Sequence, residues 1–340
     1  MAAFDKIPMS PFTLAAGRDL GLTEWQLRAP ALYKPTRGVR TLAPPQGRMG
    51  QAQAVRLVLP PGAAFSHLTA AQLHGLPLSY AMEEDARLHV IHDIEAAQIR
   101  RAGVVGHRAL HPRATGVVDG LPVVGLADTW VDLGELVGRG KPVGLDDLIV
   151  VGDACATALD STAPLRVALT KRIRPRGKKI LTEALEWIRV GSWSPRETQC
   201  RLMFVRAGLP EPKLNEPIFA SWDPRLLLGY GDLVWRIELA DGRVVKVVGE
   251  YQGKEFHASD EQRAHDAARA AGFEKDGWLV LEIWNEHINR TQARQDTVRR
   301  FARELHVPIE SLDLHAAEPR FFSRHAMELA VQRDAAGRAW

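Results

Sequence analysis

The sequence predicts a mixed α/β chain, an α+β multidomain fold, and three observations predict it. Short β-branched runs recur in "AVRLVLP", "RLHVIHD", "DLVWRIEL" and "GWLVLEIW". Ala- and Leu-rich segments of helical character, "SHLTAAQLHGLP" and "LADTWVDLGELV", stand between them. The length of 340 residues and a hydrophobic content of 46% are enough to fill more than one core.

Residues 1–45 read as a helix, a turn at Gly21, a second helix capped by Thr23, and an extended basic piece. That order predicts a small winged helix-turn-helix, with Arg28, Lys34, Arg37 and Arg40 as phosphate contacts on the second helix and the wing. A packing module with a solvated basic face has the same pattern. Residues 46–170 are expected to form a mixed α/β domain in which Ser66 begins a helix. Its His67, His74, His89, His92 and His107 stand at no metal-ligand spacing and read as ordinary surface or hydrogen-bonded histidines.

Residues 171–190 are a basic linker and helix. "KRIRPRGKKI" offers Lys171, Arg172, Arg174 and Arg176 as further phosphate contacts, or as a solvated basic turn. Ile180, Leu181, Ala184, Leu185 and Ile188 then mark one apolar helix face.

Residues 191–306 form the next predicted unit, of order helix, hairpin, helix, strand. Ser194, Pro195 and Glu197 make a capping box, and Gly208 with Pro210 stops the helix. "DLVWRIEL" and "RVVKVVGEY" pair through Ala240, Asp241 and Gly242, and a second capping box runs from Ser259 to Gln262. Residues 307–340 read as a less regular tail.

Lys plus Arg exceed Asp plus Glu by 44 to 41, a balance that permits a polyanionic partner without demanding one. Cys155 and Cys200 support no disulfide framework and no zinc finger, so both are expected as buried thiols. With no basic start leading into an apolar core, and no apolar run of about 18 residues, the expectation is a cytoplasmic chain without membrane association.

The chemistry concentrates at the hairpin's open end. A three-residue loop sets Asp232 opposite Glu250, Cβ atoms roughly 5 Å apart, whereas a two-residue loop pairs Asp232 with Tyr251. Facing carboxylates repel unless a cation or proton lies between them, and Mg²⁺ suits such oxygen ligands. Gln252, Lys254 and His257 follow on the same strand end, Lys254 to stabilise phosphorane charge or orient water and His257 to shuttle a proton. A hairpin that has simply reached solvent gives the same pattern.

"GDLVWRIELADGRVVKVVGEYQGKEFH" followed by "DEQRAHDAARAAGFEKDGWLVLEI" resembles the DUF559 domains of the PD-(D/E)XK nuclease superfamily, similar to very-short-patch repair endonucleases. The resemblance implies a restriction-endonuclease-like αββαβ domain, with Asp232 and Glu250 as ligands of Mg²⁺ or Mn²⁺ and Gln252 in the third motif position. It matches His257 to the family histidine and Glu197 to the acidic residue of the first helix, which the capping box explains equally well. Gly231 stands where the superfamily has proline, and Gln252 where it usually has lysine, so either Gln252 orients the water or Lys254 takes over. "FTLAAGRDLGLTEWQLR", "RGVRTL" and "SHLTAAQLHGLP" resemble the winged-helix and following domain of AbiEi-type antitoxins. The expected function is a metal-dependent endonuclease acting on nucleic acid, foremost DNA. The alternative is a non-catalytic, antitoxin-like DNA-binding repressor with a degenerate nuclease fold.

Overall fold

The computed structural model describes residues 7–138, 140–253 and 260–320, with the side chains of residues 260–267 outside that description. The chain is mixed α/β and divides into two compact units. Of the described residues, the first takes those up to Val143 together with Leu165–Leu181, and the second takes Gly144–Pro164 and 182–320.

In the first unit, β1 (Phe12–Thr13) pairs antiparallel with β2 (Val39–Arg40), and between them lie α1 (Leu14–Asp19) and α2 (Glu24–Leu27). The turn at Gly21 has φ +80°, and Thr23 with Gln26 closes a capping box, so the local signals act as read. The second helix is a single turn, however. Phe12, Leu22, Leu27 and Leu32 form its small core.

Next come α3 (Gly47–Arg56), β3 (Ala64–Phe65), α4 (His67–Leu73), α5 (Tyr80–Glu83), β4 (Leu88–His92), β5 (Val104–Arg108), β6 (Thr115–Val118), β7 (Leu121–Val124) and α6 (Leu126–Leu133). "AVRLVLP" is not a strand: its first residues complete α3, whose Ala52, Ala54 and Val55 are buried, and Pro60 follows the helix's last turn. The five strands form one sheet of order β5-β4-β3-β7-β6 over a core of Phe65, Val90, Ile91 and Val123. From α6, the buried carboxylate of Asp132 receives Arg113 at 2.7 Å and Arg172 at 3.2 Å.

The second unit gains α7 (Leu145–Ala158), which composition had grouped with the middle region. Nearly the whole helix is buried there, Leu148, Ile149 and Val151 among its residues, and its buried Asp153 and Asp146 pair with Arg201 and Arg206 of a later helix at 2.9 and 2.6 Å. After α8 (Ala163–Lys171) and α9 (Lys178–Trp187) come α10 (Pro195–Arg206), β8 (Lys213–Ala220), β9 (Asp223–Glu238), β10 (Val244–Tyr251), α11 (Asp260–Lys275), β11 (Leu279–Ile283), α12 (Asn285–Asn289) and α13 (Thr291–Glu304).

The unit therefore has one strand more than expected. β8 pairs antiparallel with β9, which begins at Asp223, and the sheet order is β11-β10-β9-β8 with β10 and β11 parallel. Leu233, Trp235, Val247, Leu281 and Ile283 face Phe204 and Phe301 on one side of the sheet. Val234 and Val248 face Phe273 and Trp278 on the other. Alternation thus fills both faces, and the tail as far as Ala317 covers the first of these cores.

Candidate functional site

The hairpin adopts the three-residue loop. Leu239 N donates to Arg243 O at 2.8 Å, and the ladder runs from Val244 opposite Glu238 to Gly249 opposite Leu233. One step further, the same register sets Glu250 opposite Asp232. On the parallel side Glu250 aligns with Glu282, which is exposed, so β9, β10 and β11 carry a row of three carboxylates. Glu282 belongs to this row through a pairing that no local pattern announces.

Asp232 is not free in solvent. Its Oδ2 accepts the Tyr251 N–H at 2.9 Å. Burial pushes its carboxyl up to about 6, the negative charges of Glu197 and Glu250 push the same way, and the Tyr251 N–H and Arg269 oppose them. Glu250 is held by the Arg269 guanidinium from α11, which also donates to Tyr230 O at 2.7 Å. Arg269 is a member of the site that the hairpin pattern could not supply.

Glu197, in the first turn of α10, is buried. Ser194 Oγ accepts the Glu197 N–H at 3.2 Å, as a capping box requires, but Glu197 Oε2 accepts from Trp193 N at 2.8 Å and from Asn215 Nδ2 at 2.6 Å. The return arm of the box therefore reaches Trp193 rather than Ser194. Gln252 sits just past β10, where its N–H donates to Ile283 O at 2.8 Å. Lys254 and His257, with the Ser259 cap, lie outside the described residues, as does the Gln262 side chain.

Gly231 has a packing cause. A Cβ there would meet Val234 Cγ2 at 2.7 Å and Val248 Cγ1 at 2.8 Å, so no side chain fits without a shift.

The basic residues divide. Arg28, Lys34, Arg37, Lys171, Arg174 and Arg176 are exposed. Arg40 and Arg172 are corrections: Arg40 is buried and donates to Leu27 O and Val39 O, and the Arg172 guanidinium is committed to Asp128 and Asp132. Both are internal cross-links, so neither guanidinium is offered to a phosphate.

The histidines are hydrogen-bonded as expected, but three of them also cluster. His74 and His92 are ordinary, each within 2.8 Å of a backbone carbonyl. His67, His89 and His107 instead meet in three dimensions, with the His67 and His107 rings stacked at 3.6 Å. Burial holds His89 down to about 4 and His107 down to about 2, the neighbouring imidazoles adding to the effect. Strand pairing between β4 and β5 brought them together, and one-dimensional spacing does not carry that information. Cys155 and Cys200 are buried thiols as expected, and burial pushes Cys155 up to about 12.

No family model matches the chain, and no solved structure matches it. The chain is similar to two proteins of Mycobacterium tuberculosis, the uncharacterized protein MT2308 of strain CDC 1551 / Oshkosh and the uncharacterized protein Rv2248 of strain H37Rv. Each is 24% identical over 237 residues, covering 70% of this chain and 79% of the relative. Among the described residues, no single helix is long and apolar enough to cross a membrane.

Proposed function

We propose that the second unit is a metal-dependent endonuclease domain of the PD-(D/E)XK type, acting on nucleic acid and foremost on DNA. The observation that carries this reading is the register that sets Asp232 opposite Glu250 at the hairpin's open end, with Glu197 near enough to raise the Asp232 carboxyl. The donor set is all oxygen and suits a hard cation. Mg²⁺ and Mn²⁺ keep several waters, so two carboxylates are enough protein ligands for such an ion.

Asp232 and Glu250 would hold the ion, which when bound would acidify an attacking water and neutralise phosphodiester charge. Arg269 holds the Glu250 charge in place meanwhile. Gln252, at the strand end, has an amide suited to orienting a water. Trp193 and Tyr230, both exposed with ring centroids 5.6 Å apart, flank Glu197 and Asp232 in sequence and offer a surface on which bases could stack. In this reading Arg28, Lys34 and Arg37 contact phosphates as part of a winged-helix module, and the protein works on cytoplasmic DNA.

A second reading has a specific observation behind it. The Glu250–Arg269 ion pair, with glutamine at the usual lysine position, also suits a nuclease fold kept for DNA binding alone, in an antitoxin-like repressor. Plasmid nicking and single-strand cleavage with Mg²⁺ or Mn²⁺, compared between the parent, Asp232→Ala and Glu250→Ala, separates the two. Metal-dependent cleavage lost in both variants is expected; equal DNA binding without cleavage in all three proteins sinks the nuclease and leaves the repressor.

A further inference from the structure

Three imidazoles from separate elements converge in the first unit. His67 opens α4, His89 lies in β4, and His107 lies in β5, where its pairing partner is Ile91, on the same face of the sheet as His89. His89 Nδ1 is 3.0 Å from His107 Nε2, and one nitrogen from each of the three rings falls within 4.8 Å of the others. His67 Nδ1 lies 3.0 Å from Ser66 Oγ, but the fully buried ring makes no hydrogen bond through Nε2, and its backbone sits at φ +50° in the left-handed region.

A second group of the same closeness, His67, Asp132 and Glu135, shares His67 with the first and adds carboxylates. Asp85 Oδ2 lies 3.3 Å from His89 Nε2, and a proton placed between them leaves the Nδ1 lone pair facing His107. That is the carboxylate–imidazole relay by which metal-bound histidines are oriented. Glu135 Oε2 lies 3.7 Å from His67 Nε2. Asp132 is nearby too but takes Arg113 at 2.7 Å and Arg172 at 3.2 Å, whereas Arg113 stands 3.7 Å from Glu135, which leaves Glu135 the less engaged carboxylate. His107 and Glu135 line a cleft of about 910 Å³ whose wall includes Lys171–Arg176, so an ion has a route in.

We propose that His67, His89 and His107, with Glu135 as the carboxylate ligand, bind a divalent transition metal of the zinc class in the first unit. Three imidazole nitrogens and one carboxylate favour Zn²⁺ or Co²⁺ over Mg²⁺ or Ca²⁺, which take oxygen ligands. The site is independent of the hairpin carboxylates. It holds whether or not the second unit cleaves DNA.

The test uses the full chain, stripped with a chelator and dialysed, then titrated with Zn²⁺ against a chromophoric chelator and with Co²⁺ followed by absorption. One equivalent is expected to bind both to the parent and to Asp232→Asn/Glu250→Gln, with cobalt d–d bands and no thiolate charge-transfer band. His107→Gln and Glu135→Gln should each weaken binding at least about 10-fold with unchanged circular dichroism. If His107→Gln misfolds, the partly exposed Glu135 decides the matter alone. No stoichiometric binding by the parent, undiminished affinity in Glu135→Gln, or loss of binding in the hairpin double variant would each overturn the proposal.

Discussion

Asp132 in the first unit and Asp232 in the second, both drawn out of solvent, are treated in opposite ways. In the first, Asp132 sits 1% exposed with two arginines on it. In the second, Asp232 is partly buried beside Glu197 and Glu250, and the one nearby guanidinium that offsets them pairs with Glu250. Charge that serves the fold is neutralised inside the protein. The Asp232 carboxyl instead holds its proton more tightly than usual, which is the electrostatic condition in which an added cation has the most to gain.

Removing one side of the satisfied case should have the largest effect. Asp132→Ala removes the nearest carboxylate of Arg113 and leaves Arg172 to Asp128 alone, and is expected to cost roughly 3–5 kcal/mol in urea unfolding. A loss below about 1 kcal/mol would mean that these arginines find water, and the contrast between the units would collapse.

Gly231→Ala comes next. With a Cβ forced against Val234 and Val248 beside the carboxylates, a loss of about 1–3 kcal/mol is expected in the same assay. Wild-type stability would show that the strand yields there, and that glycine is not needed at the start of the site.

Asp232→Asn should act in the other direction. The Asp232 carboxyl rises from 3.8 to about 6 on folding, so the folded chain binds the proton more tightly than the unfolded one, and stability falls as pH climbs through that window. The asparagine variant should be more stable than the parent above pH 6, on the order of 2 kcal/mol, with the advantage fading below about pH 4. Thermal unfolding across that range checks the sign. A parent more stable than the variant at neutral pH would show that the Tyr251 N–H and Arg269 outweigh burial.

The smallest effect sharpens the basic-residue assignment. Arg28→Ala should leave stability within about 0.5 kcal/mol. It should also lower the slope of log affinity for DNA against log salt by about 1. Arg40→Ala should do the reverse, losing stability with its two carbonyl contacts and leaving the salt slope alone. Equal slopes in all three proteins would remove Arg28 from the DNA contacts.

Much of the second unit was legible because its signals are local. A loop of three residues with glycine last fixes hairpin register, and register alone decides which side chains face each other, so Asp232 and Glu250 could be paired on paper. Ser194 and Pro195 likewise marked the start of α10. What the hairpin lacked was everything at long range: Arg269 from α11, Glu282 aligned through a parallel strand, and Asn215 from β8, a strand whose "KLNEPIFA" has proline inside it and did not read as one.

The sequence by itself determined the mixed α/β character, the hairpin register, the N-terminal caps at Thr23 and Ser194, and the burial of both cysteines, because each follows from contacts within a few residues or from side-chain polarity. Only the tertiary structure decided that α7 belongs with α10, that Arg40 and Arg172 point inward, and that His67, His89 and His107 share one place. Those outcomes depend on which distant elements pack together, and ion pairing and strand order settle that in three dimensions, where spacing along the chain carries no information.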